Sequence, residues 1–322
     1  MFVATYRRFF CNMKFILKCL IALVLVSTAC KQSASVYVTP NPDSEVIYGS
    51  IDEALKSKNT VKCLNLRNKE LYVLPKDLSR FKQLQFLNLM KNKLNHLDEF
   101  LFEFKHLEEL NLRDNVIEQL PAAIGQLRSL KQVDLAKNKI KTIPSEISKL
   151  KLLQNLFFSF NQLTALPKEL NELKELRFVE FNDNSLTEVG VQLEQLPKLN
   201  HLNLSNNRLS QVNSLFPATM HGLKVLNLEK NSLDTLPENI RHLTTLNSLM
   251  LSFNQLKSLP EGICQLTNLE LLLLSGNQLK QLPKDISNLR SLKTLVLVGN
   301  PISSEEKLRI RTLLPNCTIV FE

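Results

Sequence analysis

Leu269-Glu-Leu-Leu-Leu-Leu-Ser-Gly-Asn277-Gln-Leu-Lys-Gln-Leu-Pro283-Lys-Asp-Ile286-Ser-Asn-Leu289 holds two hydrophobic periods in succession. Around Leu272 and Leu274 the period is two. That predicts a short strand with those leucines on one side and residues 271, 273 and 275 on the other. After Pro283 the apolar positions Ile286 and Leu289 lie three apart, which suits a helical turn on the opposite side. Neither element has enough apolar surface to form a core by itself, so the segment needs copies of itself to pack against.

The copies are present. Apolar anchors open units at Val61, Leu84, Leu107, Leu130, Leu153, Leu176 and Leu199, each 23 residues after the last. One residue is inserted, and units continue at Leu223, Leu246, Leu269 and Leu292. Within each unit the pattern is Leu-x-x-Leu-x-Leu-x-x-Asn-x-Leu-x-x-Leu-Pro-x-x-Ile-x-x-Leu. This resembles the leucine-rich repeat family, in its 23-residue Leu-Pro form, over roughly residues 45–322. The resemblance implies an α/β solenoid: a curved parallel ladder of strands on the concave side and short helical turns on the convex side. It also implies protein recognition without catalysis.

The asparagines at 92, 115, 138, 161, 184, 207, 231, 254, 277 and 300 read as structural. Each is expected to turn inward where the chain leaves its strand and to bond backbone groups of adjacent turns. Unit one carries Lys69 there, as suits a worn terminal copy. Pro75, Pro121, Pro144, Pro167, Pro237, Pro260 and Pro283 punctuate the turns, while Asp98, Gly190 and Asn213 fill the same slot in units two, six and seven. Those three, with the residue inserted before Leu223, predict irregularity on the convex side.

Both solenoid ends expose an apolar face that needs a lid. Ser50-Ile-Asp-Glu53 is a capping box opening a helix with Ile51, Ala54 and Leu55. Ser303-Ser-Glu-Glu306 repeats the device; Ile310, Leu313 and Leu314 share a face, Pro315 ends the helix, and Thr318–Phe321 reads as a closing strand. The domain expectation is therefore a cap over 46–60, eleven repeats over 61–302 and a cap over 303–322.

Composition narrows the chemistry. The 322 residues include seven glycines and no Gly-x-Gly, which leaves no dinucleotide-binding turn or phosphate-cradling loop. Six cysteines without Cys-x-x-Cys and five scattered histidines give no zinc spacing. No cofactor or metal is expected. Cys63 is read as outward-facing on the first strand, Cys264 on the helical side and Cys317 in the last cap; pairing of Cys264 with Cys317 stays open. The formal charge is +9, and removal of Arg7, Arg8, Lys14 and Lys18 leaves 36 basic residues against 31 acidic ones. Spread along the chain, that excess forms no basic stripe for nucleic acid.

The four basic residues precede an apolar run, Cys19–Val26, and the small residues Ser27-Thr28-Ala29-Cys30. That order is a secretory signal, and the run is too short for a bilayer core of about 30 Å. Ser27–Cys30 resembles a relaxed bacterial lipoprotein signal, with Ser27 where that motif prefers leucine. The resemblance implies cleavage after residue 29, lipidation of Cys30 and display at the bacterial outer membrane or cell surface. Met13 reads as a more natural start. Residues 30–45 read as a tether.

The candidate binding surface is the outward strand face: Arg67, Phe86, Met90, Lys91, Arg113, Asp114, Phe157, Phe160, Phe178, Asp183, Met250 and Phe253. Phe157, Phe160 and Phe178 are expected to cluster inside a rim that includes Arg113 and Asp183, the make-up of an interaction hot spot. Leu271, Leu273, Val296 and Val298 either extend that surface or lie beneath the C-terminal lid. The expected partner is a protein of a host or neighbouring cell, with a homodimer also open. The alternative is carbohydrate or peptidoglycan binding, for which the absence of Trp and the placing of the four tyrosines outside the middle strands are poor support. A catalytic ligase domain would need a long region after the repeats, and the chain given ends 22 residues after Asn300.

Overall fold

The computed structural model describes residues 46–58, 60–216 and 222–322. The signal segment, Cys30, the tether and His221 lie outside them. Thirteen short strands follow one another: β1 (Ile47–Tyr48), β2 (Cys63–Asn65), β3 (Phe86–Asn88), β4 (Glu109–Asn111), β5 (Gln132–Asp134), β6 (Asn155–Phe157) and β7 (Phe178–Glu180). Next come β8 (His201–Asn203), β9 (Val225–Asn227), β10 (Ser248–Met250), β11 (Leu271–Leu273), β12 (Thr294–Val296) and β13 (Thr318–Val320). They form one sheet in sequence order, every pair parallel.

The register reproduces the repeat. Cys63 pairs with Phe86 and Phe86 with Glu109, steps of 23, whereas His201 pairs with Val225, a step of 24. The inserted residue is thus absorbed between β8 and β9 without breaking the ladder. In each three-residue strand the middle side chain points to the core and the outer two to the opposite face. Leu64, Leu87, Val133, Leu156, Leu226, Leu249, Leu272 and Leu295 are fully buried in one continuous core.

Between strands the chain makes a 3-10 turn, tighter than the α-turn the spacing would allow. Pro144 caps one at φ −69° without an N–H to satisfy, and Ile147 N bonds Pro144 O at 3.1 Å. Strands about 4.8 Å apart on one side, and bulkier turns on the other, put the ladder on the inside of the curve. Neighbouring turns approach closely at Gly125 and Gly262, where an added Cβ would lie 2.6 Å from Glu146 O and 2.5 Å from Glu238 O.

The inward asparagines do what their position predicts. Asn138 Nδ2 donates to Leu112 O and Leu135 O, both at 3.0 Å, and its Oδ1 accepts from Ile117 N at 3.0 Å. The same set recurs at Asn115, Asn207, Asn231 and Asn277. Each asparagine therefore closes its own turn and stitches it to the one before.

Two of the slots without proline carry a carboxylate in its place. Asp98 Oδ2 accepts from Leu74 N at 3.2 Å, and Glu306, one register further than Pro283, accepts from Leu282 N at 2.9 Å. Units six and seven have turns of only three residues, Leu193–Gln195 and Asn213–Leu215. An apolar cavity of about 10 Å³ lies there, lined by Val189, Val191, Phe181 and surrounding leucines.

Each end of the solenoid carries a helix, and the first end an additional strand. In α1 (Ile51–Lys56) Ser50 Oγ accepts from Glu53 N at 3.2 Å, and Glu53 Oε2 accepts from Gly49 N at 2.9 Å, one residue before the usual partner of a capping box. In α2 (Ser304–Leu313) Ser303 Oγ accepts from Glu306 N at 3.2 Å, and Ile310 and Leu314 are buried. β13 closes that end. The additional strand is β1, which pairs with β2 and lengthens the ladder ahead of the first repeat.

Candidate functional site

Reading outward from the core, the strand face has a floor and a rim. The floor consists of the first and last residue of every strand. Asn65, Asn88 and Asn111 do not await a ligand there, because each Oδ1 accepts the backbone N–H two residues on, at 3.2, 3.0 and 3.0 Å. Asp134 does the same for Ala136 N at 2.9 Å while its other oxygen lies 3.9 Å from Arg113 Nη1. This second polar ladder was not anticipated. Its signal is the recurrence of Asn or Asp at the end of β2, β3, β4, β5, β8 and β9.

The rim is set by the backbone. Asn68, Lys91, Asp114, Lys137, Phe160, Asp183, Asn206, Lys230 and Phe253 all have φ between 52° and 61°. A left-handed residue at this point turns the chain out of the strand so that the next asparagine can point inward. Glycine is the natural occupant, and Gly276 and Gly299 take it with φ of 64° and 74°. Phenylalanine is an unusual one. Phe160 and Phe253 remain 47% and 57% exposed, so neither gains much from the core. The Phe253 ring lies over Gly276, where a Cβ would approach its Cδ1 to 2.6 Å. Lys137 Nζ stands 5.9 Å from the centre of the Phe160 ring.

The expected residues are therefore divided. Arg67 and Lys91 are exposed, and Phe86, Met90, Arg113, Asp114, Phe178 and Asp183 are partly exposed. Phe157 and Met250 correct the expectation of exposure: both face away from the core, yet they keep only 7% and 3% of their surface. Floor side chains on strands about 4.8 Å apart stand shoulder to shoulder and cover one another. Cys63 is buried for the same reason. The aromatic trio is thus split, with Phe160 on the rim, Phe178 half-buried and Phe157 sunk. A different pair is stacked inside: Phe158 and Phe181 replace core leucines, their rings 5.8 Å apart. Asp183 takes its place on the rim through Asn182 Nδ2 at 2.6 Å and Asn206 Nδ2.

The electrostatics of the floor follow from desolvation. Burial, with Glu108 beside it, pushes the Glu109 carboxyl up to about 7 against a smaller opposing pull from Lys131. Burial also raises Glu180, reinforced by Asp134 and opposed by Arg113 and Ser159. His201 stacks on Phe178 at 5.6 Å, and burial lowers it to about 4. Its Nε2 has no hydrogen-bond partner and lies 3.8 Å from Glu180 Oε1. Cys264 and Cys317 are unpaired. Among the described residues no group of His, Cys, Asp and Glu is arranged to hold a metal, and no helix is long and apolar enough to cross a membrane.

A family model for the leucine-rich repeat region matches residues 60–221 and 205–313. The chain is a leucine-rich repeat protein. A leucine-rich repeat protein of Leptospira interrogans is 34% identical over 81% of this chain and 84% of that one, with a TM-score of 0.48. An internalin (InlF) from Listeria monocytogenes is 22% identical over 81% and 80%, with a TM-score of 0.63. The plant peptide hormone receptor RGFR1, solved in complex with RGF2, is 23% identical over 82% and 46%, with a TM-score of 0.56. The last two likenesses concern the fold. Comparison with curated proteins finds no sequence match.

Proposed function

We propose that this leucine-rich repeat protein is a non-enzymatic scaffold, tethered to the bacterial envelope through lipidated Cys30, that holds a protein partner against its strand face. The observation that carries the binding reading is the pair of exposed phenylalanines, Phe160 and Phe253, on left-handed backbone. An aromatic ring kept in water on a strained backbone position is costly on both counts and suits a contact with something outside the chain. Proteins of this fold commonly serve as binding scaffolds, and the RGFR1 structure contains a bound RGF2. The anchoring reading rests on the order basic, apolar, small, Cys30 in the sequence.

A photo-crosslinking residue at position 160, compared with one at Lys149 on a convex turn, tests the binding face in producing cells. Defined adducts from 160 and none from 149 are the expected result; equal capture from both would remove the strand face from consideration. Labelled palmitate should enter the wild-type chain and not Cys30→Ala, and equal labelling would overturn the anchor. From β2 to β13 the strand floor has no Tyr or Trp platform for sugars, and Tyr48 on β1 is buried in the core, which disfavours the carbohydrate alternative.

A further inference from the structure

The chain has 40 lysines and arginines, yet none occupies an outward floor position on any strand from β2 to β13. The same positions hold three acids, Glu109, Asp134 and Glu180, all between β4 and β7. Asp134 has Arg113 at ion-pair distance, and Glu180 has His201 at 3.8 Å, an imidazole that burial holds in its neutral form near pH 7. Lys131 is drawn instead to Glu108, at 2.6 Å, and among the described residues no cation lies within that range of Glu109. The raised Glu109 is the state of a carboxylate left without a cation in a place from which water is partly excluded. Past β9 the floor is mostly apolar. Beside Ser248, Thr294 and Thr318 it holds Met250, Leu273 and Val296, which are buried, and Leu271 and Val320, which stay partly exposed, with partly exposed Val298 alongside and Phe253 on the rim.

We infer that the partner segment recognised by this face is an extended peptide with a basic end, seated over Glu109 and Glu180, and an apolar end, seated over β10–β13. The inference rests on the strand face being the binding surface, and it adds the partner's chemistry. Charge complementarity supplies the argument for the basic end: a net-basic protein keeps its own cations off the floor and leaves carboxylates there. The spacing follows from the ladder. Glu180 on β7 and Leu271 on β11 are four strands apart, about 19 Å at about 4.8 Å per step. An extended chain covers that distance in about six residues at about 3.3 Å each. The basic and apolar parts of the partner should be separated accordingly.

The test uses the full chain and fluorescent probe peptides read by anisotropy. The main probe has Arg and Lys separated by three Gly-Ser residues, to match the three strand steps from Glu109 to Glu180, then a four-residue Gly-Ser spacer and Val-Leu-Val-Leu; a second has the same blocks in reverse order. Binding of at least one order is expected, together with a loss of at least about tenfold when Arg and Lys both become Glu (the Glu-Glu probe) or the apolar block becomes serine. Deleting the four-residue spacer should weaken binding similarly. Glu109→Gln with Glu180→Gln should cost the basic probe about tenfold and leave the Glu-Glu probe no weaker than before. These swaps on the probe keep the test decisive even if a protein variant folds poorly. Tight binding of the Glu-Glu probe, or no binding of either basic order above the serine control, overturns the inference. Adducts from position 160 alongside such a failure would leave the scaffold reading standing and discard only the stated partner chemistry. Adducts absent from 160, with probe binding unaffected by the floor substitutions, would discard both.

Discussion

Asn138→Ala removes three short hydrogen bonds and a longer one at once, and the structure allows the cost to be worked out. The side chain is buried; Leu112 O, Leu135 O and Ile117 N are each 3.0 Å away, and Ala136 O shares the amide at 3.3 Å. Leu112 O keeps the Asn115 Nδ2 bond and Leu135 O the Asn161 Nδ2 bond, both 2.9 Å, so alanine weakens those two carbonyls but leaves the Ile117 N–H unpaired inside the coil. At a net worth of about 1 kcal/mol per bond the loss is about 3 kcal/mol, more if water does not enter. Asn138→Asp should be worse at neutral pH. The acceptor for Ile117 N survives, but a carboxylate then faces two carbonyl oxygens. Its folded pKa must rise above the unfolded value, so the variant keeps most stability at low pH and loses it as pH rises through the folded pKa. Chemical unfolding measures the total, although repeat arrays can unfold in parts. Hydrogen exchange at the Ile117 amide gives the local answer, because that N–H loses its acceptor in Asn138→Ala and keeps it in Asn138→Asp. A loss under about 1 kcal/mol, with Ile117 protection unchanged, would show that the asparagine ladder is not what binds the coils together.

Gly262→Ala should cost about 1–3 kcal/mol by overpacking against Glu238 O, whereas Gly49→Ala, whose Cβ would meet nothing nearer than Glu53 Oε2 at 3.7 Å, should leave the unfolding midpoint unchanged. Arg309, bonded to Glu306 at 2.7 Å, holds that carboxyl below the usual value of 4.5. The C-terminal cap should therefore lose stability as pH falls from about 4.5 through the lower folded pKa, and Arg309→Met should shift that loss to higher pH, read by amide exchange at Leu282. His201 should titrate near 4 by NMR, with its neutral form favoured on folding, so that its contribution is lost as pH falls from 6.5 towards 4. A midpoint above 6 would contradict its burial against Phe178.

The repeat, the asparagine ladder and both caps were legible because each is a local rule applied many times over. Period two, then Asn, then a turn at fixed spacing leaves few ways to pack eleven copies. The failures came where the decisive quantity was not periodicity. Phe157 faces the side that alternation predicts, but alternation does not report how closely strands crowd one another. Lys91, Phe160 and Phe253 have left-handed backbone, for which the signal is the Asn, Asp or Gly at the same place in other units, Asn68, Asp114, Asp183, Asn206, Gly276 and Gly299, and not anything in these three residues themselves. β1 escaped notice because a two-residue strand has no period to detect. The stacked Phe158 and Phe181 were hidden by their position: they occupy leucine places and look, by pattern, like any other core residue.

The constancy of the 23-residue step from β2 to β8 has a consequence for how such a molecule can change. Excising residues 130–152 would join Ser129 to Leu153 with each strand and each asparagine meeting a counterpart of the same kind. Length can thus be edited by whole coils, and the reach of the docking face adjusted in increments of about 4.8 Å. Between β8 and β9 the extra residue breaks that interchangeability, and a cut spanning it would have to remove 24.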